Sequence, residues 1–312
     1  MGFFNYINNW LRHDSNTRAL LREVHRRQKE AEQYYLKMRI NHFRHLTLTC
    51  QEPGTSKKEL CDHEVIVSLT SFGERIHDVH LAIESIMQGS IKPNRIILWL
   101  SEEEFNGKPL PATLKYQQQR GLEIIFCKDI RSYKKLIYSL QQNPESCIIT
   151  IDDDLLYEFD IVERLINAHI ANPHAICACR LHRIILDSNN LPISYLHWEK
   201  CINDTSPSPL NFATGGGGTL YPPGCLAKET TDENLFMKLC PTADDIWFFA
   251  MAKLQGTLVI KVPTPDPEGY FIELPSAYIN ALKDTNATTE SCMNDPQMQN
   301  VLNYFNLYPK LR

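Results

Sequence analysis

The 312-residue chain has ten cysteines but no Cys-x-x-Cys pair. A zinc ribbon needs two close pairs, so the spacing offers no zinc site. Cys50, Cys61, Cys201, Cys225, Cys240 and Cys292 are scattered. Cys127 and Cys147 sit in apolar runs and read as small buried hydrophobes. Cys177 and Cys179, two apart, would share one face of a strand. No stretch approaches about 18 uncharged apolar residues, so nothing reads as a membrane span. The opening MGFFNYINNWLRHDSN lacks the basic, apolar and small-residue regions of a signal peptide. Tyr6 stands where a myristoylation pattern after Gly2 wants Ser or Thr. Together these absences predict free thiols in a reducing, cytoplasmic setting. An excess of positive charge is missing too. Thirty-two Lys+Arg against 37 Asp+Glu give a net charge of −5, which argues against a nucleic-acid partner held by bulk attraction. No Gly-Lys-Ser/Thr follows a glycine loop and no Gly-x-Gly-x-x-Gly follows the first strand, which excludes the common nucleotide-triphosphate and dinucleotide cradles. The 43% hydrophobic content rules out a mostly disordered chain.

What is present falls into three parts: a basic helical extension over 1–50, a linker over 51–63 and a body over 64–312. The extension has no proline, and its only glycine is Gly2. Arg12, Arg18, Arg22, Arg26, Arg27, Lys29, Lys37, Arg39 and Arg44 outnumber Asp14, Glu23, Glu30 and Glu32. Phe3, Ile7, Trp10 and Leu11 fall at helical spacing, and so do Leu20, Leu21 and Val24, with Ser15 at a cap position between them. Packing on the body, self-association through residues 1–48 and peripheral contact with an anionic membrane face all fit this pattern.

The body alternates strands and helices. Val65–Thr70, Arg95–Leu100, Leu122–Phe126 and Cys147–Ile151 are short apolar runs rich in β-formers. Helical periodicity runs over His77–Met87, Ser132–Leu140 and Asp160–His169, with Asp160 free to cap the last of these. Continuous apolar strands in a βαβ rhythm predict a mostly parallel sheet flanked by helices on both faces. Ligands of such sheets bind beyond the carboxyl ends of the strands. Four features lie where that rule points.

Asp152-Asp153-Asp154 follows the fourth strand at once. Three adjacent carboxylates repel one another unless something positive offsets them, and Mg²⁺ or Mn²⁺ suits such oxygens. An acidic turn with one capping Asp is the plainer alternative. Asp244-Asp245 opens an apolar helical stretch through Leu254, either as a cap or as a general base. Gly215–Gly218 lets the backbone pass close to something. Asp129-Ile130-Arg131-Ser132-Tyr133-Lys134-Lys135 puts cations on a turn entering a helix, where they meet a diphosphate or merely face solvent. The carboxyl-terminal part says less. Asp266–Gly269 reads as a turn, and Asn286-Ala287-Thr288 is a glycosylation sequon of no consequence in a cytosolic chain. Asn294-Asp295-Pro296 starts a helix with Val301, Leu302 and Phe305 on one face, which covers the sheet or closes over a ligand.

The ordered set VIVSLTSFGERI, NRIILWLS, KDIRSYKKL, TIDDDLLY, ATGGGGTLYPPG and PTADDIWFFAMA resembles the GT-A fold, nucleotide-sugar-dependent glycosyltransferases, of the bacterial surface-polysaccharide and lipopolysaccharide type. The match runs from Val65 to about Ile260. The resemblance implies a Rossmann-like GT-A domain with a nucleotide-binding half over about 64–160 and an acceptor half over about 161–312. It implies that Asp152 faces the ribose or the metal's waters and that Asp154 binds Mn²⁺ or Mg²⁺. Asp153 stands between them in the same motif. Thr70, Ser71 and Arg75 would border the nucleotide. Asp129 and Lys135 would contact nucleotide and phosphate, and Gly216 and Gly217 would lie beside the donor sugar. Asp244-Asp245 would be the acidic pair whose second member, Asp245, is the base. One departure stands out: some relatives hold the metal with a late histidine, whereas the last histidine here is His197. His182 and His197 remain candidates to line the site, and Tyr195 and Trp198 are candidates to stack on an acceptor sugar or to fill the core.

The function that follows is metal-dependent transfer of a sugar from a nucleotide-diphosphate sugar to a hydroxyl of a glycan or glycolipid acceptor, in the cytoplasm or at the inner face of the membrane. Two other classes stay open. One is a metal-dependent phosphohydrolase or phosphotransferase, although Leu156 stands where an Asp-x-Asp-x-Thr pattern needs threonine. The other is a non-catalytic nucleotide-sugar-binding assembly subunit that uses the basic helices as its arm.

Overall fold

The structure, a computed structural model, describes residues 15–266, 271–278, 286 and 292–312. The expected helical spacing of Phe3, Ile7, Trp10 and Leu11 lies outside the described residues. So do Pro267–Gly269 of the expected turn and Ala287-Thr288 of the sequon.

The chain forms two compact units, one ending at Leu46 and one running Thr47–Arg312. In the first, a single helix α1 (Ser15–Thr49) begins and continues to the boundary. Its basic residues are laced to acids one turn away: Arg26 contacts Glu23 and Glu30 at 2.6 Å each, and Arg27 contacts Glu23 at 2.7 Å. Such exposed pairs add little to stability. Leu20, Leu21, Val24, Tyr34, Tyr35 and Met38 are exposed along the helix. No described helix is long and apolar enough to cross a membrane.

The second unit is built on a seven-stranded sheet. In chain order its elements are β1 (Val65–Thr70), α2 (Val79–Met87), β2 (Arg95–Ser101), α3 (Glu102–Phe105), α4 (Ala112–Gln118) and β3 (Leu122–Cys127). Then come α5 (Lys134–Gln142), β4 (Cys147–Thr150), β5 (Leu155–Tyr157), α6 (Ile161–Ala171), β6 (Ile176–Ala178), β7 (Leu181–Arg183) and β8 (Asn211–Ala213). The described elements end with β9 (Thr219–Tyr221), α7 (Glu233–Leu239), α8 (Asp244–Gln255), β10 (Val259–Lys261), β11 (Phe271–Glu273) and α9 (Asn294–Tyr304). The strand order is β10-β6-β9-β4-β1-β2-β3. Only β9 runs against its neighbours; the other pairings are parallel.

The alternation of side chains along each strand divides the core between the two faces of the sheet. Ile66, Ile97, Trp99 and Ile148 pack on one face with Leu136 of α5, Trp247 and Phe248 of α8, and Val301 and Leu302 of α9. Val67, Leu69, Leu98, Leu100 and Ile149 pack on the other with Val79, Ile83 and Ile86 of α2 and Leu165 of α6. Each such fully buried side chain contributes about 1.5–3 kcal/mol over exposure. Helix α9 belongs to the first cluster, as a cover does, and its first residue Asn294 lines the cleft described below. The chain steps from β1 outward to β2 and β3, then returns to place β4 on the other side of β1. That reversal is a topological switch point, and it opens a crevice at the carboxyl ends of β1 and β4.

Candidate active site

Both segments that leave the switch point carry charge. After β1 the chain turns through Ser71 into a short 3₁₀ helix, Gly73–His77, which presents Arg75. After β4 it runs directly into the Asp triplet. Arg75 donates to Asp154 at 2.6 Å and lies 3.3 Å from Asp153, and the Ser71 hydroxyl donates to Asp153 at 2.5 Å. Helix α5 enters from the other side. Its Lys135 ammonium lies 2.7 Å from Asp152 and 3.5 Å from Asp244. Both Lys134 and Lys135 are buried, so the reading of them as solvated surface does not hold. Lys134 pairs with Asp129.

The second acidic pair starts α8. Neither Asp244 nor Asp245 caps that helix: Ala243 is the cap residue and makes no side-chain bond. Asp245 Oδ1 instead accepts the Gly215 amide at 2.9 Å. The glycine run is required by this close approach. A Cβ on Gly215 would meet Asp245 Oδ1 at 2.9 Å, one on Gly216 would meet Asp152 Oδ2 at 2.2 Å, and one on Gly217 would meet Arg180 Cβ at 2.4 Å. Gly215 and Gly216 thus lie directly against the acids and Gly217 against Arg180, so a side chain at any of the three would displace its neighbour.

A cleft of about 530 Å³ collects these groups. Thr70, Arg75, Asp129, Lys135, Asp152, Asp153, Asp154, Gly216, Asp244 and Asp245 all line it. Ser71 and Gly217 are buried behind it, bracing Asp153 and resting on Arg180. Thr70 spends its hydroxyl on the Trp99 carbonyl at 2.8 Å. Tyr195 lines the cleft, whereas Trp198 is core. The two histidine candidates do not line it. His182 is buried and accepts the Cys201 amide at 3.0 Å, and burial, then Lys200, push it down to about 3. His197 is exposed. Asp160 stands at the cap position of α6 but makes no side-chain cap; it binds Arg164 at 2.7 Å.

The motif reading does not single out Arg180, Tyr157, Ser68, Trp99 or Ser139, all of which act at or behind the site. Arg180 follows β6, as the Asp triplet follows β4; it lines the cleft and donates to Thr214 at 2.6 Å. The rule about strand ends would have found it. The Tyr157 hydroxyl accepts the Asp152 amide at 2.8 Å and donates to the Gly216 carbonyl at 2.7 Å, fastening triplet to glycine loop. Ser68, Ser139 and the Trp99 indole form a buried knot at 2.8–3.0 Å, and Ser68 also donates to the Lys135 carbonyl. This knot fixes the root of the Lys135 side chain. Arg131 holds φ of 59°, which costs a non-glycine residue about 1–2 kcal/mol. Its amide donates to Asp129 at 3.0 Å, which steadies that turn.

The electrostatics are unbalanced toward negative charge. Eight acidic and five basic side chains line the cleft, so a diphosphate alone would meet net repulsion there. Burial raises the Asp154 carboxyl, and Asp152 and Asp153 add to it, bringing it to about 7. Burial and then Asp244 raise Asp245 to about 7, against the pull of Lys135. Burial would also raise Asp152, but Lys135, Arg180 and Arg75 outweigh it and hold this carboxyl below its ordinary value. Burial would lower Lys135, but Asp152, Asp244 and Asp245 hold it well above its ordinary value.

This donor set fits a hard divalent cation. The carboxylates carry more charge than the local cations offset, and Arg75 meets Asp154 at Oδ2. The Asp152 side chain, 35% exposed, is more open than that of Asp154 at 13%. Among the described residues no three of these carboxylates converge within 4.8 Å. Phosphate oxygens and waters would therefore complete the shell, as is usual for Mg²⁺ with one or two protein carboxylates.

No protein-family model and no curated protein matches the chain. Solved structures do match it. One is a CMP:2-keto-3-deoxy-manno-octonic acid synthetase complexed with CTP, at 10% identity and a TM-score of 0.38, covering 69% of this chain and 95% of that one. Another is the mannosyltransferase PcManGT from Pyrobaculum calidifontis in complex with GDP-Man and Mn²⁺, at 11% identity and a TM-score of 0.44, covering 88% and 79%. Likenesses at these scores decide nothing about the chemistry of this chain.

Proposed function

We propose that the cleft binds a nucleotide-diphosphate sugar together with Mn²⁺ or Mg²⁺ and transfers the sugar to a hydroxyl of a glycan or glycolipid acceptor. The observation that carries this reading is the pairing of two acidic clusters of different kind around one cation. Asp152–Asp154 crowd the switch point, and Asp245 stands apart on α8, held by the Gly215 amide, with Lys135 between the two groups. A divalent ion, when bound, would offset the charge that grows on the departing diphosphate.

The chain's own groups would do the rest. Asp152 and Asp154 would hold the ion, and Arg75 would keep Asp154 oriented through its 2.6 Å bond. Lys135 and Arg180 would add fixed positive charge beside the leaving group. Asp245 would take the acceptor proton: a carboxyl raised to about 7 is a stronger base than an ordinary one and is poised near neutrality. The Gly215 amide occupies one of its oxygens and leaves the other for that proton. Direct attack by the deprotonated hydroxyl would invert the anomeric centre. Tyr195 would offer a ring face to the acceptor. The exposed apolar and basic side chains of α1 suit a peripheral membrane contact or self-association. The surface-polysaccharide setting rests on the resemblance in the motifs alone.

A screen of nucleotide sugars against glycan and glycolipid acceptors, with Mn²⁺ or with EDTA, tests the reading. Sugar transfer that needs the ion and is lost in Asp154→Ala is expected. Release of inorganic phosphate without transfer would favour a phosphohydrolase, and saturable donor binding with neither reaction would favour a binding subunit.

A further inference from the structure

The opposite end of the same sheet holds a second ligand cluster of another chemistry. Cys147 is the first residue of β4 and pairs in register with Val65, the first residue of β1. Cys61 lies in the segment that leads into β1, and His169 lies in the last turn of α6. Among the described residues these three form the one group of His, Cys, Asp or Glu whose ligand atoms all lie within 4.8 Å of one another. Cys147 Sγ and His169 Nε2 are 3.4 Å apart. A tetrahedral ion with bonds of about 2.3 Å to sulfur and 2.0 Å to nitrogen holds its S and N ligands about 3.5 Å apart. Cys147 and His169 are buried, and Cys61 is half-buried.

His169 Nε2, which faces the Cys147 thiol, is the ring nitrogen placed to bind an ion. The residue is 4% exposed, and among the described residues its Nδ1 has no hydrogen-bond partner. We propose that Cys61, Cys147 and His169 form a binding site for a soft divalent ion, Zn²⁺ in the first instance, which ties the segment before β1 to the start of β4 and the end of α6. Thiolate and imidazole ligands select such an ion over Mg²⁺ or Mn²⁺, so this site and the carboxylate cleft would not compete for one metal. Three protein ligands leave a fourth position to solvent. Loading the site releases the thiol protons.

Co²⁺ reports directly on sulfur ligation. The intact protein, reduced and metal-free, is titrated with Co²⁺ without oxygen and then with Zn²⁺. One equivalent of Co²⁺ is expected to produce a thiolate-to-metal charge-transfer band, which Zn²⁺ abolishes. Carboxylates give no such band, so Asp154→Asn should keep it. Cys61→Ser, at the most accessible ligand, and His169→Gln should weaken Co²⁺ binding at least as much as losing a ligand's supporting partner does, ~10–100-fold. Zn²⁺ should raise the melting temperature of the wild-type chain and not that of Cys61→Ser. Absence of the band with both thiols reduced would overturn the proposal. A band of equal affinity in Cys61→Ser and His169→Gln would overturn it too, because the ion would then sit on other cysteines.

Discussion

Glu84 and the Asp152–Asp154 triplet are both buried acids in one fold, yet they are built on opposite plans. Glu84 is 0% exposed and fully answered. Arg120 donates to both of its oxygens at 2.9 Å, Gln88 and Gln117 add bonds at 2.7 and 3.0 Å, and Thr47 adds one at 3.3 Å. One negative charge meets one positive charge, and no ligand is wanted. The triplet and the Asp244-Asp245 pair put five carboxylates around Arg75, Lys135 and Arg180, and they open onto a cleft. The surplus costs stability and, under the proposed function, would attract a cation. Balance marks a structural pair, and imbalance beside a cavity marks a candidate site.

The comparison can be broken or sharpened by substitution. The largest expected effect is from Asp154→Ala, which should abolish ion-dependent sugar transfer while the urea midpoint stays the same or rises. A variant with near-normal transfer would remove Asp154 from the site. Asp245→Asn keeps an acceptor for the Gly215 amide and should lower kcat by about 10²–10⁴. If KM alone changed, Asp245 would be an acceptor-binding group. Arg120→Met should behave in the opposite way, costing about 3–5 kcal/mol in denaturant unfolding because Glu84 is left unpaired. The kcat per folded molecule should not change; a loss there would mean that the balanced pair is not purely structural.

The smallest effect concerns pH. Asp154 and Asp245 are raised to about 7 in the folded chain against 3.8 for an ordinary Asp. Between those values the folded state holds protons that the unfolded state has lost, so these two groups make stability fall as pH rises from about 4 through 7. Asp245→Asn should therefore gain melting temperature over the wild type at pH 8 and not at pH 4. Equal differences at both pH values would mean that the carboxyl is not raised.

Much of the first half of the second unit was legible in the sequence. Strands β1, β2 and β4 are buried on both faces, so their apolar runs are continuous and bounded, and β3 keeps an apolar run although it lies half-buried at the sheet edge. The later strands β6–β10 are three residues each, too short for periodicity to register. The Asp triplet was legible because three adjacent carboxylates at the end of a buried strand repel one another unless something positive offsets them. Tyr157 and the Ser68–Trp99–Ser139 knot were not, because a buried Tyr or Ser looks the same in sequence whether it braces a site or fills a core. Cys61, Cys147 and His169 were hidden for another reason. Metal motifs are read from short spacings, and these ligands meet only because β1 and β4 pair and α6 returns to their start.

The central claim is that the unbalanced acids recruit a divalent cation together with a nucleoside diphosphate. Melting curves of the wild-type protein with UDP, GDP, CDP and their sugar conjugates, each with Mn²⁺ or with EDTA, test it most directly, because a ligand that binds the folded state raises the melting temperature. The account predicts that one nucleotide stabilises the chain in Mn²⁺ and not in EDTA. Equal stabilisation in EDTA, or none with any nucleotide from a well-folded sample, would contradict it.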